Sequence, residues 1–176
     1  MLDALPHRGP NDRGIHTFNN TVFGHTRLSI VDVAGGHQPI LANGGRTGII
    51  CNGEIYNFED IRQKLISEYQ FKTKSDTEVI LHLYREKGPE GVKELDGMFA
   101  FAIFDGDDFM LARDPIGIKP LYYGYVGDKV YFTSELGAMT LAGVDEVHEF
   151  PAGYYYTPKV MSQFSCKNSW HGYLRC

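Results

Sequence analysis

The chain has 176 residues, enough for one sizeable core, and its 43% apolar and 22% charged content is that of a globular domain, which excludes disorder and fibrous repeats. A net charge of −5 excludes a general nucleic-acid binder, because phosphate neutralisation needs clustered Lys and Arg. The longest apolar run, Met98 to Phe104, is too short to cross a bilayer, and three cysteines (Cys51, Cys166 and Cys176) at no metal-ligand spacing point to a reducing, cytoplasmic setting without a metal.

Met1 to Asn20 is rich in Gly, Pro and Asn without clear period and reads as loop. Thr21 to Val33 is β-branched and aromatic, and Gly44-Gly45 sets up a return into Thr47 to Cys51, so two strands are expected. Phe58, Ile61, Leu65 and Tyr69 recur at helical spacing behind Asn57, a candidate cap. A second helix is expected from Ser75, where Ser75 and Glu78 have capping-box spacing, to a stop at Gly88. Pro89 suits the first turn of a shorter helix over Glu90 to Leu95.

In MFAFAIF (98–104) both alternating faces are apolar, which places this strand in the middle of a layered structure. Strands follow at Phe109 to Arg113, Leu121 to Tyr125 and Lys129 to Ser134, the last two joined by Gly127-Asp128. Strands before and after a helical pair indicate an α+β arrangement. Lys159 to Cys176 has neither helical nor strand period and is treated as a divergent tail behind a domain of residues 1–158.

Several residues could carry chemistry, each with a plainer alternative. Asn52-Gly53-Glu54 is a tight turn on one reading. On the other, a Gly lets a substrate approach the backbone while the Asn amide and the Gly N–H point at one oxygen, as a tetrahedral oxyanion requires. Arg27 is either a solvent-facing strand residue or a fork for a carboxylate. Asp76 either complements a helix dipole or receives an ammonium group. An α-amino acid ligand would need both partners together.

Taken in order, HRGP, RLSIVD, NGEIYN, KSDTEVI, GMFAFAIFD, ARDPIGIKPLYY and FPAGYYY resemble the glutaminase domain of asparagine synthetase, a class II glutamine amidotransferase, over residues 5 to 158. The resemblance implies an N-terminal-nucleophile hydrolase: a four-layer α/β/β/α sandwich of antiparallel sheets. It implies hydrolysis of L-glutamine, with ammonia passed to a synthetase domain or subunit that alone would use ATP and Mg. No cofactor is expected in this domain.

By the same resemblance Arg27 grips the glutamine α-carboxylate with the Leu28, Ser29, Ile30 and Val31 backbone beside it. Asn52 and Gly53 form the oxyanion hole, Glu54 lies in the same strand, and Asp76 accepts from the α-amine. The loop from Arg113 to Pro120 resembles the segment near the synthetase junction. The family places a Cys nucleophile at its mature amino terminus. This chain opens Met1-Leu2, so the expectation is a fragment without that strand or its thiol, inactive as it stands, with Cys51 a buried core thiol. The alternative is a non-catalytic amino-acid-binding or interaction module.

Overall fold

A computed structural model describes residues 1–5, 7, 9, 12–27 and 36–165. Its centre is a six-stranded antiparallel sheet in the order β11-β10-β6-β5-β4-β3: β3 (Ile40–Ala42), β4 (Thr47–Ile55), β5 (Gly97–Asp105), β6 (Asp108–Arg113), β10 (Tyr154–Thr157) and β11 (Val160–Gln163). As its two apolar faces require, β5 lies between β4 and β6, and residues 99–104 are all buried.

One face of this sheet is covered by α1 (Phe58–Leu65) and α2 (Thr77–Lys87). The odd-numbered side chains Ile49, Cys51, Ile55, Phe99, Phe101 and Ile103 pack there with Ile61, Val79, Ile80 and Leu83. The even-numbered set, Ile50, Ala100, Ala102 and Phe104, faces a second β layer. That layer is the hairpin of β1 (Asp12–Phe18) and β2 (Thr21–Arg27), with the sheet β8-β7-β9: β7 (Tyr122–Val126), β8 (Lys129–Thr133) and β9 (Val147–Glu149). Phe23 joins the parts, 5.0 Å between ring centroids from Phe104 and 5.3 Å from Phe132. The short helix α3 (Leu136–Leu141) follows β8 and buries Ala138 and Met139. The period of 2 in the central strands thus separates two cores on opposite faces of one sheet.

Four sequence-based expectations need correction. The opening is not all loop: Leu2–Ala4 is a 3-10 turn and Asp12–Phe18 is a strand, a pattern hidden by Gly14 and His16. Asn57 precedes α1, but its side chain makes no cap. It accepts from the Asp96 N–H and donates to the Glu94 carbonyl instead.

The expected capping box at Ser75 and Glu78 does not form: Asp76 is the N-cap of α2, and Glu78 turns back to accept from the Lys72 and Thr73 N–H groups at 2.8 and 2.7 Å. Residues 160–163, where no period was legible, form the edge strand beyond β10, because a tight turn at 157–160 is closed by the Thr157 hydroxyl accepting from the Val160 N–H. Among the described residues no helix is long and apolar enough to cross a membrane.

Candidate functional site

The Asn52-Gly53-Glu54 triplet is not a turn. It lies inside β4, paired with Ala100, Phe99 and Met98 of β5. Backbone direction alternates along a strand, so residues 51, 53 and 55 turn their N–H groups to one edge and residues 52, 54 and 56 to the other. Tyr56 N–H donates to the Asp96 carbonyl at 2.7 Å, and the Phe99 carbonyl accepts from Asp114 N–H on the β6 side at 2.7 Å. The even positions therefore bond β5, and the N–H groups of Cys51, Gly53 and Ile55 face away from it.

On that outer edge β3 reaches only as far as Ile40 opposite Ile49. Beyond it side chains take over. Cys51 N–H donates to Gln38 Oε1 at 2.6 Å, and Ile55 N–H donates to Asp76 Oδ2 at 2.9 Å. Between them, no group among the described residues takes the Gly53 N–H, and Gly53 is exposed. The site thus holds a backbone donor fixed on both sides and turned to solvent, beside the half-buried Asn52, which is the geometry an oxyanion needs.

Gly53 is also required for space. A Cβ there would collide with the Met98 carbonyl oxygen and lie 2.7 Å from Phe99 Cα, since Gly53 and Phe99 form a closely spaced, non-hydrogen-bonded pair. Glu54 is exposed one residue further along the strand.

Asp76 closes the same edge. Its carboxylate accepts from Ile55 N–H, from Thr77 N–H at 2.9 Å and from the Ser75 hydroxyl at 3.4 Å. An ionised carboxylate has about four acceptor positions, and Asp76 is only half-buried, so it retains capacity for an ammonium donor. The loop before it is held by charged side chains: Arg62 donates to the Thr73 and Ser75 carbonyls at 3.0 and 2.9 Å, while Glu78 collects the N–H groups of Lys72 and Thr73. Burial opposes ionisation of Glu78, but the His82 imidazole at 3.4 Å and hydrogen bonds from these N–H groups and the Thr73 hydroxyl outweigh it and hold the carboxyl down to about 2.

The backbone of Arg27 stands opposite Asp12 at the end of β2. Two residues earlier, His25 Nε2 donates to the Cys51 carbonyl at 3.1 Å, which brings the end of β2 to the Cys51 side of the same edge. The side chain of Arg27 and all of Leu28, Ser29, Ile30 and Val31 lie outside the described residues, as do Cys166 and Cys176. Cys51 is buried at 5% exposure. Desolvation, reinforced by the Asp76 carboxylate, pushes its thiol well above the ordinary range, so it is a core group and not a nucleophile.

The expected loop from Arg113 to Pro120 continues from β6 on the other side of β5, where Asp114 N–H donates to the Phe99 carbonyl, and it closes on the Asp114 carboxylate. Gln38 and His25 were not legible as site residues. Nothing in sequence marks a buried Gln as a backbone partner, although its place just before the short strand β3 is a retrospective signal.

A family model described as a glutamine amidotransferase domain matches residues 1–164. A probable glutamine-hydrolyzing asparagine synthetase of Schizosaccharomyces pombe is 45% identical over 161 residues, covering 89% of this chain and 29% of that protein. Asparagine synthetase B of Escherichia coli, also named as glutamine-hydrolyzing, is 48% identical over 155 residues, covering 86% of this chain and 28% of its own. The chain thus spans less than a third of the length of these relatives. Among solved structures, glutamine phosphoribosylpyrophosphate amidotransferase of B. subtilis superposes with a TM-score of 0.78 at 25% identity, over 93% of this chain and 45% of that one.

Proposed function

The chain belongs to the glutamine amidotransferase domain family, and from that premise we propose that it is the glutamine-binding glutaminase domain of an asparagine synthetase-like amidotransferase. The observation that carries this reading is the β4 edge. Gly53 N–H stands between two N–H groups already bound by Gln38 and Asp76, and a half-exposed carboxylate closes one end. That arrangement suits an α-amino acid whose side chain ends in a carbonyl: its amine meets Asp76, its δ-oxygen meets Asn52 and the Gly53 N–H, and Arg27 takes its α-carboxylate.

Chemically, attack on the δ-carbonyl carbon would move negative charge onto the oxygen held by Gly53 and Asn52, so these donors bind tighter as the reaction proceeds. A nucleophile must supply the attacking electron pair. Ammonia released here would serve asparagine synthesis in a synthetase domain or subunit, the place for ATP and Mg.

Calorimetric titration with L-glutamine is the test. Binding is expected in the unaltered chain and falls at least about 30-fold in Arg27→Ala, since a charge-assisted, bidentate contact contributes about 2 kcal/mol or more. Equal affinity in Arg27→Ala would overturn the assignment. The deep burial of Cys51 favours a second reading, an amino-acid-binding module without turnover. Sustained ammonia release from the purified chain would overturn this second reading.

A further inference from the structure

In the β3–β4 ladder Ile40 stands opposite Ile49, so the same register two positions on sets Gln38 opposite Cys51. A continuing strand would bond Cys51 there through its backbone. Gln38 uses its side chain instead: Oε1 accepts from Cys51 N–H at 2.6 Å, and Nε2 donates to the Cys51 carbonyl at 3.2 Å. The amide reproduces both bonds of a strand partner, and its donor and acceptor ends are fixed by this pairing. Gln38 is 7% exposed. Its own backbone is backed by β1, where a Cβ on Gly14 would overlap the Gln38 carbonyl oxygen.

The consequence lies two residues along β4. A backbone partner would have gone on to cover Gly53, whereas a side chain ends after one residue. With Asp76 bonding Ile55 N–H at 2.9 Å, the strand is tied on both sides of Gly53 and left open at it. We propose that Gln38 is a positioning residue for the oxyanion donor: it stands in for a β-strand at Cys51 so that the Gly53 N–H is held in register yet free to meet the δ-carbonyl of the ligand. This rests on the glutamine-binding reading above and deepens it.

The prediction concerns discrimination, which general stability does not set. L-Norvaline shares the α-amine, the α-carboxylate and the carbon count of glutamine but has no δ-carbonyl. The quantity to measure, by calorimetry on the full chain, is the affinity ratio of glutamine to norvaline. In Gln38→Met, of similar size but without either bond, norvaline affinity is expected to stay within about twofold while the ratio falls about tenfold, the scale of one misaligned hydrogen bond.

Gln38→Glu is the second variant, for the case that the first does not fold. It keeps the acceptor for Cys51 N–H but sets a carboxylate against the Cys51 carbonyl, and its ratio is also expected to fall. An unchanged ratio in a folded variant overturns the role of Gln38. Absence of glutamine binding in the unaltered chain overturns the underlying reading instead, so the two failures are distinguishable.

Discussion

Two irregular segments of this protein are built by the same device and end in opposite roles. In residues 72–76 a buried carboxylate, Glu78, collects backbone N–H groups while a guanidinium, Arg62, collects carbonyls. In residues 113–120 Asp114 accepts from the N–H groups of Ile116, Gly117, Ile118 and Lys119. Arg113 there donates to the carbonyls of Gly117, Lys119 and Phe150 and to Glu149. Both use charged groups where the backbone has no ladder to join.

The difference is what remains outside. Asp114 is 0% and Arg113 6% exposed, and their bonds are directed into the fold, so that loop is a rivet between β6 and the segment at 149–153. The 72–76 loop presents one more carboxylate, Asp76, half-exposed and aligned with the open edge of β4. Charge and motif density are therefore poor guides to function by themselves. The distinguishing feature is a group fixed in place with bonding capacity to spare.

The largest effect that would sharpen this contrast is expected at the rivet. Asp114→Ala removes the carboxylate from four N–H groups, of which only Gly117 keeps another acceptor, the carbonyl of residue 114, and is expected to cost about 4 kcal/mol in chemical denaturation, enough to unfold a marginal domain. A loss below about 1 kcal/mol would break the comparison. Glu78→Ala is next, at about 3 kcal/mol, because its N–H groups lie nearer to solvent.

Glu78 also predicts an acid limb. Its folded pKa is lowered from 4.5 to about 2, so its contribution is fully present above about pH 5 and is lost as pH falls toward 2, by about 3 kcal/mol. Glu78→Gln should flatten that limb; an identical pH profile would remove Glu78 from the account. Smallest is Asp76→Asn without ligand, about 1 kcal/mol or less, since Asn still serves as a cap. The same change should weaken glutamine binding about 30-fold, a split between stability and affinity that no variant of Asp114 should show.

Much of the central sheet was legible because its period is simple. MFAFAIF could only be a strand buried on both faces, and Gly127-Asp128 only a turn, as the β7–β8 pairing bears out. The ends were harder. β1 and β11 carry no clean alternation and exist because β2 and β10 offer partners. The capping-box spacing at Ser75 and Glu78 misled for a physical reason: Glu78 lies in the core, and the unpaired N–H groups of Lys72 and Thr73 need it more than the helix start does.

Within the candidate site, Asn52, Gly53 and Asp76 were found through a resemblance of ordered motifs, and the fold brings them to one strand edge. Their spacing alone would have left Asn-Gly a turn. The role given to Gln38 was beyond sequence reasoning, because it depends on where β3 stops relative to β4, a matter of register that no local pattern encodes.

The central claim is that Gly53 N–H is an open donor held for a ligand carbonyl. The most direct measurement is an amide-resolved NMR titration of the 15N-labelled chain with L-glutamine and, separately, L-norvaline. A large saturable shift of the Gly53 amide is expected with glutamine, a small one with norvaline, and little change at Cys51 and Ile55, whose N–H groups are already bound. Equal shifts of Gly53 with both ligands, or none with glutamine at concentrations that saturate binding, would contradict it.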